Sequence, residues 1–362
     1  MQIDISQKYA IALGGGGAKG AYQIGAWQAL QEAGVQYEAV AGVSVGALNG
    51  ALMTMRDLET AKRVWENITF SQVINVEDSQ MKAFFDGDLH GKDWLEFFRN
   101  MIEVVRKGGF DTKPLENLLM QVVQEEKIRQ SDVEFFLTTY SLSDHREIDL
   151  DVKTLPDGAL HDMLLASAFF PMFRQKKIGG KYYADGGITN LIPLENLLVR
   201  GYRNIIILHI SQVGFEKKVE IPEDARIFEI APKGKLSSVL QFDGTHAKRD
   251  MQLGYFDAKR MLFGLMGERY YIQRTWSEEK AYGMLCTSLR KEAAEMGKTI
   301  ALRTLNEQML PQLAKKYNVQ GNYYDIWLRW VEDMANELQI SPFGIRTEDM
   351  LMQEILQKKQ KK

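Results

Sequence analysis

The chain has 362 residues, 45% of them hydrophobic and 26% charged, with a formal net charge of −3. This is enough apolar material for a large core and more length than one average domain needs, and it offers no basic face for nucleic acid. The single cysteine, Cys286, excludes an internal disulfide and points to a reducing compartment.

The N-terminus lacks the basic start and apolar run of a signal peptide. No stretch approaches the roughly 18 apolar residues of a membrane span. The expectation is a cytoplasmic protein with at most a peripheral contact with a membrane. No Cys/His spacing suggests a metal site, and no cofactor is expected.

Tyr9–Leu13 is an apolar run that ends in four glycines and reads as a buried strand. Ala18–Glu32 has helical character, and Gly34 is a plausible stop. Val40 and Ala41 end a second strand at Gly42, and a second helix runs from Val45 to Met55. Strand, glycine turn, helix, repeated, opens an α/β fold with a parallel sheet.

From Leu58 to Val123 the pattern is mostly helical, over Leu58–Ile68, Lys92–Arg106 and Pro114–Val123, the last with Asp111 or Thr112 as cap. An irregular stretch, Val73–Gly91, lies among these helices. The block reads as a helical cap inserted at about 58–125. Strands resume at Val133–Tyr140 and Glu147–Val152. Asp157 is placed as the cap of a helix ending before Pro171. Lys181–Ala184 is a short strand, Leu194–Val199 a helix, and Ile205–Ile210 a central buried strand.

After Ser211 the character changes. Arg226–Ile230 is one more strand. Helical patterns then fill Gln241–Leu265, Ser277–Gly297, Thr299–Tyr317, Tyr324–Leu338 and Thr347–Lys358. The expected division is a catalytic domain at 8–212 and a mostly helical C-terminal extension at 213–362. The first helix of the extension has an alternative place on the sheet.

Gly15-Gly16-Gly17-Ala18-Lys19-Gly20 fits G-x-G-x-x-G, a pattern shared with dinucleotide-binding loops. Backbone N–H groups in such a loop, with a helix N-terminus behind them, hold an oxyanion of either kind, a pyrophosphate or a tetrahedral intermediate. A ribose-binding acid is expected at the end of the second strand. Glu38 stands at its start, and the end carries Gly42-Val43-Ser44-Val45-Gly46 instead. That placement argues for chemistry.

G-x-S-x-G between an apolar strand and a helix is the pattern of a nucleophile elbow. Gly42 and Gly46 remove side chains two positions either side of Ser44, and the following helix favours negative charge on its oxygen. A serine N-cap is the bland alternative.

Ser44 needs a base. His90, His145, His161 and His246 lie in polar or charged segments. His209 follows Ser44 and Asp185 in an order that suits a triad, but it stands in an apolar strand. Asp185 comes off a short strand before Gly186-Gly187, whose lack of side chains permits close approach. Desolvation would raise its pKa toward that of a useful base. Spacing alone leaves this reading level with an ordinary Asp-Gly turn.

Four blocks in order make the sequence resemble the patatin-like phospholipase family. They are Gly15–Gly20, Gly42–Gly46 with the trailing Ala47-Leu48-Asn49-Gly50, Ala166–Pro171, and Tyr183–Gly187. The resemblance covers roughly residues 9 to 210. It implies a mainly parallel α/β sandwich, a Ser44–Asp185 dyad without histidine or metal, and an oxyanion hole from the N–H groups of Gly15, Gly16 and Gly17. Lys19 and Gly20, Gly42 and Gly46, and Gly186 and Gly187 then support the site. Lys19 has three readings: it steadies the loop, meets a phosphate head group, or is solvated.

The implied activity is cleavage of a phospholipid or acylglycerol ester through an acyl-enzyme, with general carboxylesterase or acyltransferase chemistry, a nucleotide-binding protein and a non-catalytic scaffold as the alternatives. Met81, Phe84, Phe85, Trp94, Phe97, Phe98 and Met101 are candidates for an acyl channel or lid, with a plain core role as the alternative. The tail Lys358–Lys362 offers charge to anionic lipid, or is a solvated terminus.

Overall fold

The computed structural model describes residues 3–86, 108–170, 173–210 and 217–361, except for the side chains of Gln80, Phe84 and Asp86. By internal contacts the chain divides into Met1–Leu262 and Phe263–Lys362.

The first unit is built on a mixed, mainly parallel seven-stranded sheet. Its strands are β1 (Lys8–Leu13), β2 (Gln36–Val43), β3 (Glu134–Ser141), β4 (Arg146–Asp151), β5 (Tyr183–Asp185), β6 (Asn204–Leu208) and β7 (Arg226–Ile230). The order is β4-β3-β2-β1-β6-β7, with β5 also paired to β3. β4 and β5 run antiparallel to β3, and the other pairings are parallel. β1 and β2 are almost wholly buried, as expected of strands covered on both faces.

Helices cover the sheet. They are α1 (Ala21–Glu32), α2 (Val45–Thr54), α3 (Leu58–Glu66), α4 (Phe70–Val73), α5 (Asp78–Asp86), α6 (Lys113–Val122), α7 (Glu125–Arg129), α8 (Leu160–Ser167), α9 (Leu194–Val199) and α10 (Gly244–Phe263). Ala10, Ala12, Ala39, Ala41, Ile205 and Ile207 point to one face, where Leu197 and Leu198 of α9 pack on them. The alternate residues Val40 and Phe135 face α2 and close on Gly50. Side chains two apart along a strand share a face, which produces this division.

The pairing of β3 matters most for the site. β2 pairs with β3 as far as Val43 opposite Thr138. β5 pairs with it from Ser141 opposite Tyr183 to Thr139 opposite Asp185. The two strands therefore share one edge of β3 and meet end to end, each by its C-terminal residue.

Three details differ from the sequence expectation. α5 is a helix inside the stretch read as irregular. Asp157 does not cap α8. The carboxylate of Glu125 accepts the N–H groups of Gly158 and Leu160 instead, at 3.0 and 3.4 Å. The division between units falls at Leu262, not near 212, because α10 packs backbone to backbone on α1. A Cβ at Gly25 would lie 1.8 Å from the Met251 carbonyl oxygen, and one at Gly254 would lie 1.9 Å from that of Tyr22.

The second unit contains α11 (Glu278–Glu295), α12 (Leu310–Tyr317), α13 (Tyr323–Glu337), α14 (Glu348–Gln360), and a two-stranded sheet of β8 (Tyr271–Ile272) and β9 (Ile345–Arg346). Trp276 and Trp327, with ring centroids 4.6 Å apart, sit in its core with Leu285, Leu289 and Val331. The buried carboxylate of Glu348 accepts the N–H groups of Thr275 and Trp276 and the hydroxyl of Tyr324. The segment read as one helix, Thr299–Tyr317, is interrupted by a π-helical turn at Leu305–Met309 just before Pro311. Proline cannot donate the N–H that a continuous α-helix needs there. No helix among the described residues is long and apolar enough to cross a membrane.

Candidate active site

Ser44 stands where β2 turns into α2, with φ 56° and ψ −129°. A side-chain-bearing residue reaches this region only under constraint. Close packing imposes the constraint. A Cβ at Gly42 would lie 2.3 Å from the Gly46 carbonyl oxygen, and one at Gly46 would lie 2.3 Å from that of Leu13. The Ser44 N–H donates to Ser167 Oγ at 2.9 Å, and that hydroxyl donates to the Thr138 carbonyl at 2.7 Å. The last turn of α8 thus holds the elbow from behind.

Asp185 arrives from the opposite direction on β5. Ser44 Oγ donates to Asp185 Oδ2 at 2.6 Å. Asp185 Oδ1 accepts the Gly187 N–H at 2.8 Å, and the Asp185 N–H donates to the Phe169 carbonyl at 2.9 Å. Both side chains are buried, at 8% exposure each. Burial pushes the Asp185 carboxyl up to about 6, while the hydrogen bonds from Ser44 and Gly187 pull the other way. The close approach of Gly186 to β3 leaves no room for a Cβ, which would lie 2.7 Å from the Thr138 carbonyl oxygen.

The glycine loop lies beside this pair. A Cβ at Gly15 would lie 3.3 Å from that of Ser44. One expectation for the loop needs correction. The Gly15 N–H donates to the Leu191 carbonyl at 3.0 Å, so it is already spent and is not an oxyanion donor in this arrangement. The N–H groups of Gly16 and Gly17 take no hydrogen-bond partner among the described residues. Lys19 sits in the short 3₁₀ turn Gly17–Gly20, where its N–H donates to the Gly16 carbonyl at 3.3 Å. Gly20 lets Val45 and Trp65 close on the loop.

A buried polar network joins loop and elbow. Trp65 Nε1 donates to Asn49 Oδ1 at 3.0 Å, and Asn49 Nδ2 donates to the Gly20 carbonyl and to Gln23 Oε1. Gln23 Nε2 donates to the Gly14 carbonyl at 2.8 Å. The sequence reading included Asn49 and Ser167 only as parts of motifs, and it missed Gln23 and Trp65.

The histidines are engaged elsewhere. His209 Nδ1 lies 2.7 Å from Glu229 Oε1. His246 pairs with Asp243. His161 is half-buried with Nε2 3.0 Å from the Val123 carbonyl. His145 turns the β3–β4 hairpin at φ 52°. His90 lies outside the described residues.

A family model described as Patatin-like phospholipase matches residues 11–198, just over half of the chain. The chain belongs to the patatin-like phospholipase family.

The patatin-like match spans both halves of the Ser44–Asp185 pair and the glycine loop. Patatin-like phospholipase domain-containing protein 7 of Rattus norvegicus is 23% identical over 212 residues, which is 56% of this chain and 13% of that protein. Neuropathy target esterase sws of Drosophila melanogaster is 60% identical over 42 residues, 12% of this chain and 3% of that protein. The chain thus spans a small part of these curated relatives. VipD from Legionella pneumophila aligns over 96% of this chain and 90% of that chain, at 14% identity and a TM-score of 0.45.

Beside the Ser44–Asp185 pair lies a cavity of about 320 Å³. Ser44, Asp185 and Gly15–Gly17 stand in its wall. The rest is almost wholly apolar. It includes Val64 and Trp65 of α3, Leu115 and Leu119 of α6, and Val239 and Phe242 before α10. Asn49 and Asp185 are its polar lining apart from Ser44 and the Trp65 N–H, and no lysine or arginine lines it among the described residues.

Of the candidates for an acyl channel or lid, Met81 and Phe85 have described side chains. Met81 is buried and Phe85 stacks on Phe70, with neither in the cavity wall. The side chain of Phe84, and Trp94, Phe97, Phe98 and Met101, lie outside the described residues. Lys19 is not in the wall either.

Proposed function

We propose that this protein is a lipid acyl hydrolase in which Ser44 is the nucleophile and Asp185 the general base. The observation that carries this reading is the 2.6 Å hydrogen bond from Ser44 Oγ to Asp185 Oδ2 at the wall of an apolar cavity. A carboxyl held at about 6 is a better proton acceptor at neutral pH than an ordinary aspartate. The cavity wall suits an acyl chain and offers a pyrophosphate no cation among the described residues.

In the proposed sequence, Ser44 Oγ attacks the ester carbonyl carbon as Asp185 takes its proton. The oxyanion lies against the N–H groups of Gly16 and Gly17. Collapse breaks the ester C–O bond, and Asp185 returns the proton to the leaving alcohol. Water then attacks the acyl-serine, with Asp185 again accepting a proton, and the acid leaves as Ser44 is restored. The sequence needs no metal or cofactor. The substrate is the carboxylic ester of a phospholipid or acylglycerol, met by peripheral contact with a lipid surface.

The test is labelling with a fluorophosphonate followed by a panel of lipid esters. Wild-type protein should label at Ser44 and release fatty acid. Labelling that persists in Ser44→Ala, or turnover that persists in Asp185→Asn, would overturn the assignment.

A further inference from the structure

We propose that Asp250, outside the family-matched residues, is a positioning residue that holds the oxyanion loop in place through the segment Leu236–Phe242. The inference rests on the catalytic reading above, since it concerns how that loop is held.

The chain of contacts runs in four steps. Asp250 lies on α10 and is fully buried. Its Oδ2 accepts the Ser237 N–H at 3.0 Å. Two residues on, the Val239 carbonyl accepts the Ala18 N–H at 2.8 Å. The same carbonyl crowds Gly17, where a Cβ would lie 2.2 Å from its oxygen. Gly17 has φ 58°, so both the close approach and the backbone conformation require glycine there. The segment thus packs directly on the loop at Gly17 and Ala18.

The far end of the segment is also anchored. Asp243 accepts the N–H groups of Thr245 and His246 at 3.1 and 3.0 Å and pairs with the His246 ring. Gln241 reaches the same ring. α10 itself is locked to α1 by the Gly25 and Gly254 contacts, and α1 follows directly from the glycine loop. Asp250 therefore refers the segment to the helix that continues the loop.

Stability alone is a poor account of Asp250. Among the described residues neither its Oδ1 nor Ser237 Oγ finds a partner in ordinary hydrogen-bond geometry. The nearest cation, Arg249 Nη1, is 4.0 Å away. Burial pushes this carboxyl up. A buried carboxylate with one oxygen unsatisfied costs stability, and such costs concentrate where function needs a group held in place.

The consequence is kinetic. Without the Ser237 anchor, Val239 is free to retreat and the N–H of Gly17 loses its aim. A donor aimed at the oxyanion acts on the transition state, so kcat falls while KM stays put.

The experiment compares Asp250→Ala, Asp250→Asn and Ala18→Pro with wild type on a soluble p-nitrophenyl ester, with thermal melts and fluorophosphonate labelling rates in parallel. Asp250→Ala should lower kcat by about 10- to 1,000-fold, the upper end matching loss of a whole donor, with KM within about twofold and labelling slowed alongside. Asp250→Asn keeps an acceptor for the Ser237 N–H and should recover kcat. Ala18→Pro removes the N–H that Val239 accepts and puts a ring carbon where that N–H pointed, so the Val239 carbonyl is pushed off the loop. It should reproduce the kcat loss without adding to that of Asp250→Ala, and it decides the matter if Asp250→Ala fails to fold. Full kcat in folded Asp250→Ala, equal losses in the Ala and Asn variants, or a rise in KM instead of a fall in kcat would each overturn the proposal while leaving Ser44 as nucleophile. Absence of labelling in wild type would overturn the catalytic reading itself.

Discussion

Val43 and Asp185 occupy neighbouring places along one edge of β3, Val43 opposite Thr138 and Asp185 opposite Thr139. Two strands running toward each other deliver Ser44 and Asp185 to the same point. The 2.6 Å contact between them is thus set by sheet register and does not depend on a flexible loop.

The pH dependence of turnover follows from the buried carboxyl. Asp185 must be ionised to accept a proton, and burial puts its pKa at about 6. The expected profile of kcat/KM rises tenfold per pH unit below about 6 and is level above it. An initial-rate series from pH 4 to 9 checks this. A limb near the ordinary carboxylate range would refute the raised value.

The same shift makes Asp185 a burden on folding. Its folded pKa of about 6 lies above the ordinary 3.8. Below 3.8 both states are protonated and there is no penalty. Between 3.8 and 6 stability is lost as pH rises, and above 6 the loss is complete at about 3 kcal/mol. Asp185→Asn escapes it. The variant should gain stability over wild type by up to that amount at pH 8 and lose this advantage near pH 4, as read by denaturant melts at the two values.

Ser167→Ala removes the hydroxyl that accepts the Ser44 N–H. An unpaired buried N–H costs about 1–3 kcal/mol. The melting point should drop by several degrees, and kcat should fall by about tenfold or more as the strained elbow relaxes. Steady-state kinetics at a temperature where the variant is folded separate the two effects. Unchanged kcat would show that Ser167 only braces the fold.

Leu119 of α6 stands in the cavity wall. Leu119→Trp should fill part of the space. The kcat/KM for decanoyl esters should fall by about tenfold or more, with acetyl esters within about threefold. Equal losses on both would mean that the acyl chain does not occupy this cavity.

Much of the fold was legible because local signals and tertiary packing agree. α9 and β7 have the bounds read from sequence, and Ser277 and Thr347 open α11 and α14 as N-caps. β8 and β9 were not legible, because two-residue strands carry no period. The cap of α8 was misread because its acceptor, Glu125, comes from another element.

The site divides in the same way. The glycines around Ser44 mark it as a candidate by themselves, whereas Asp185 stands level with an Asp-Gly turn until the four blocks are taken together. The direction of an N–H is not written in a run of glycines, so Gly15 was assigned a task that its bond to Leu191 excludes. Ser167 and Asp250 carry no local mark of what they hold, because each acts on a segment far away in the chain.

The scarcity of charge in the cavity bears on how a reaction there would finish. Hydrolysis creates a second carboxylate within reach of Asp185, and no lysine or arginine in the described wall is present to hold it. Two like charges beside an apolar wall repel strongly. The released acid is driven outward at neutral pH, so product inhibition should be weak there and deepen once acidification neutralises the pair.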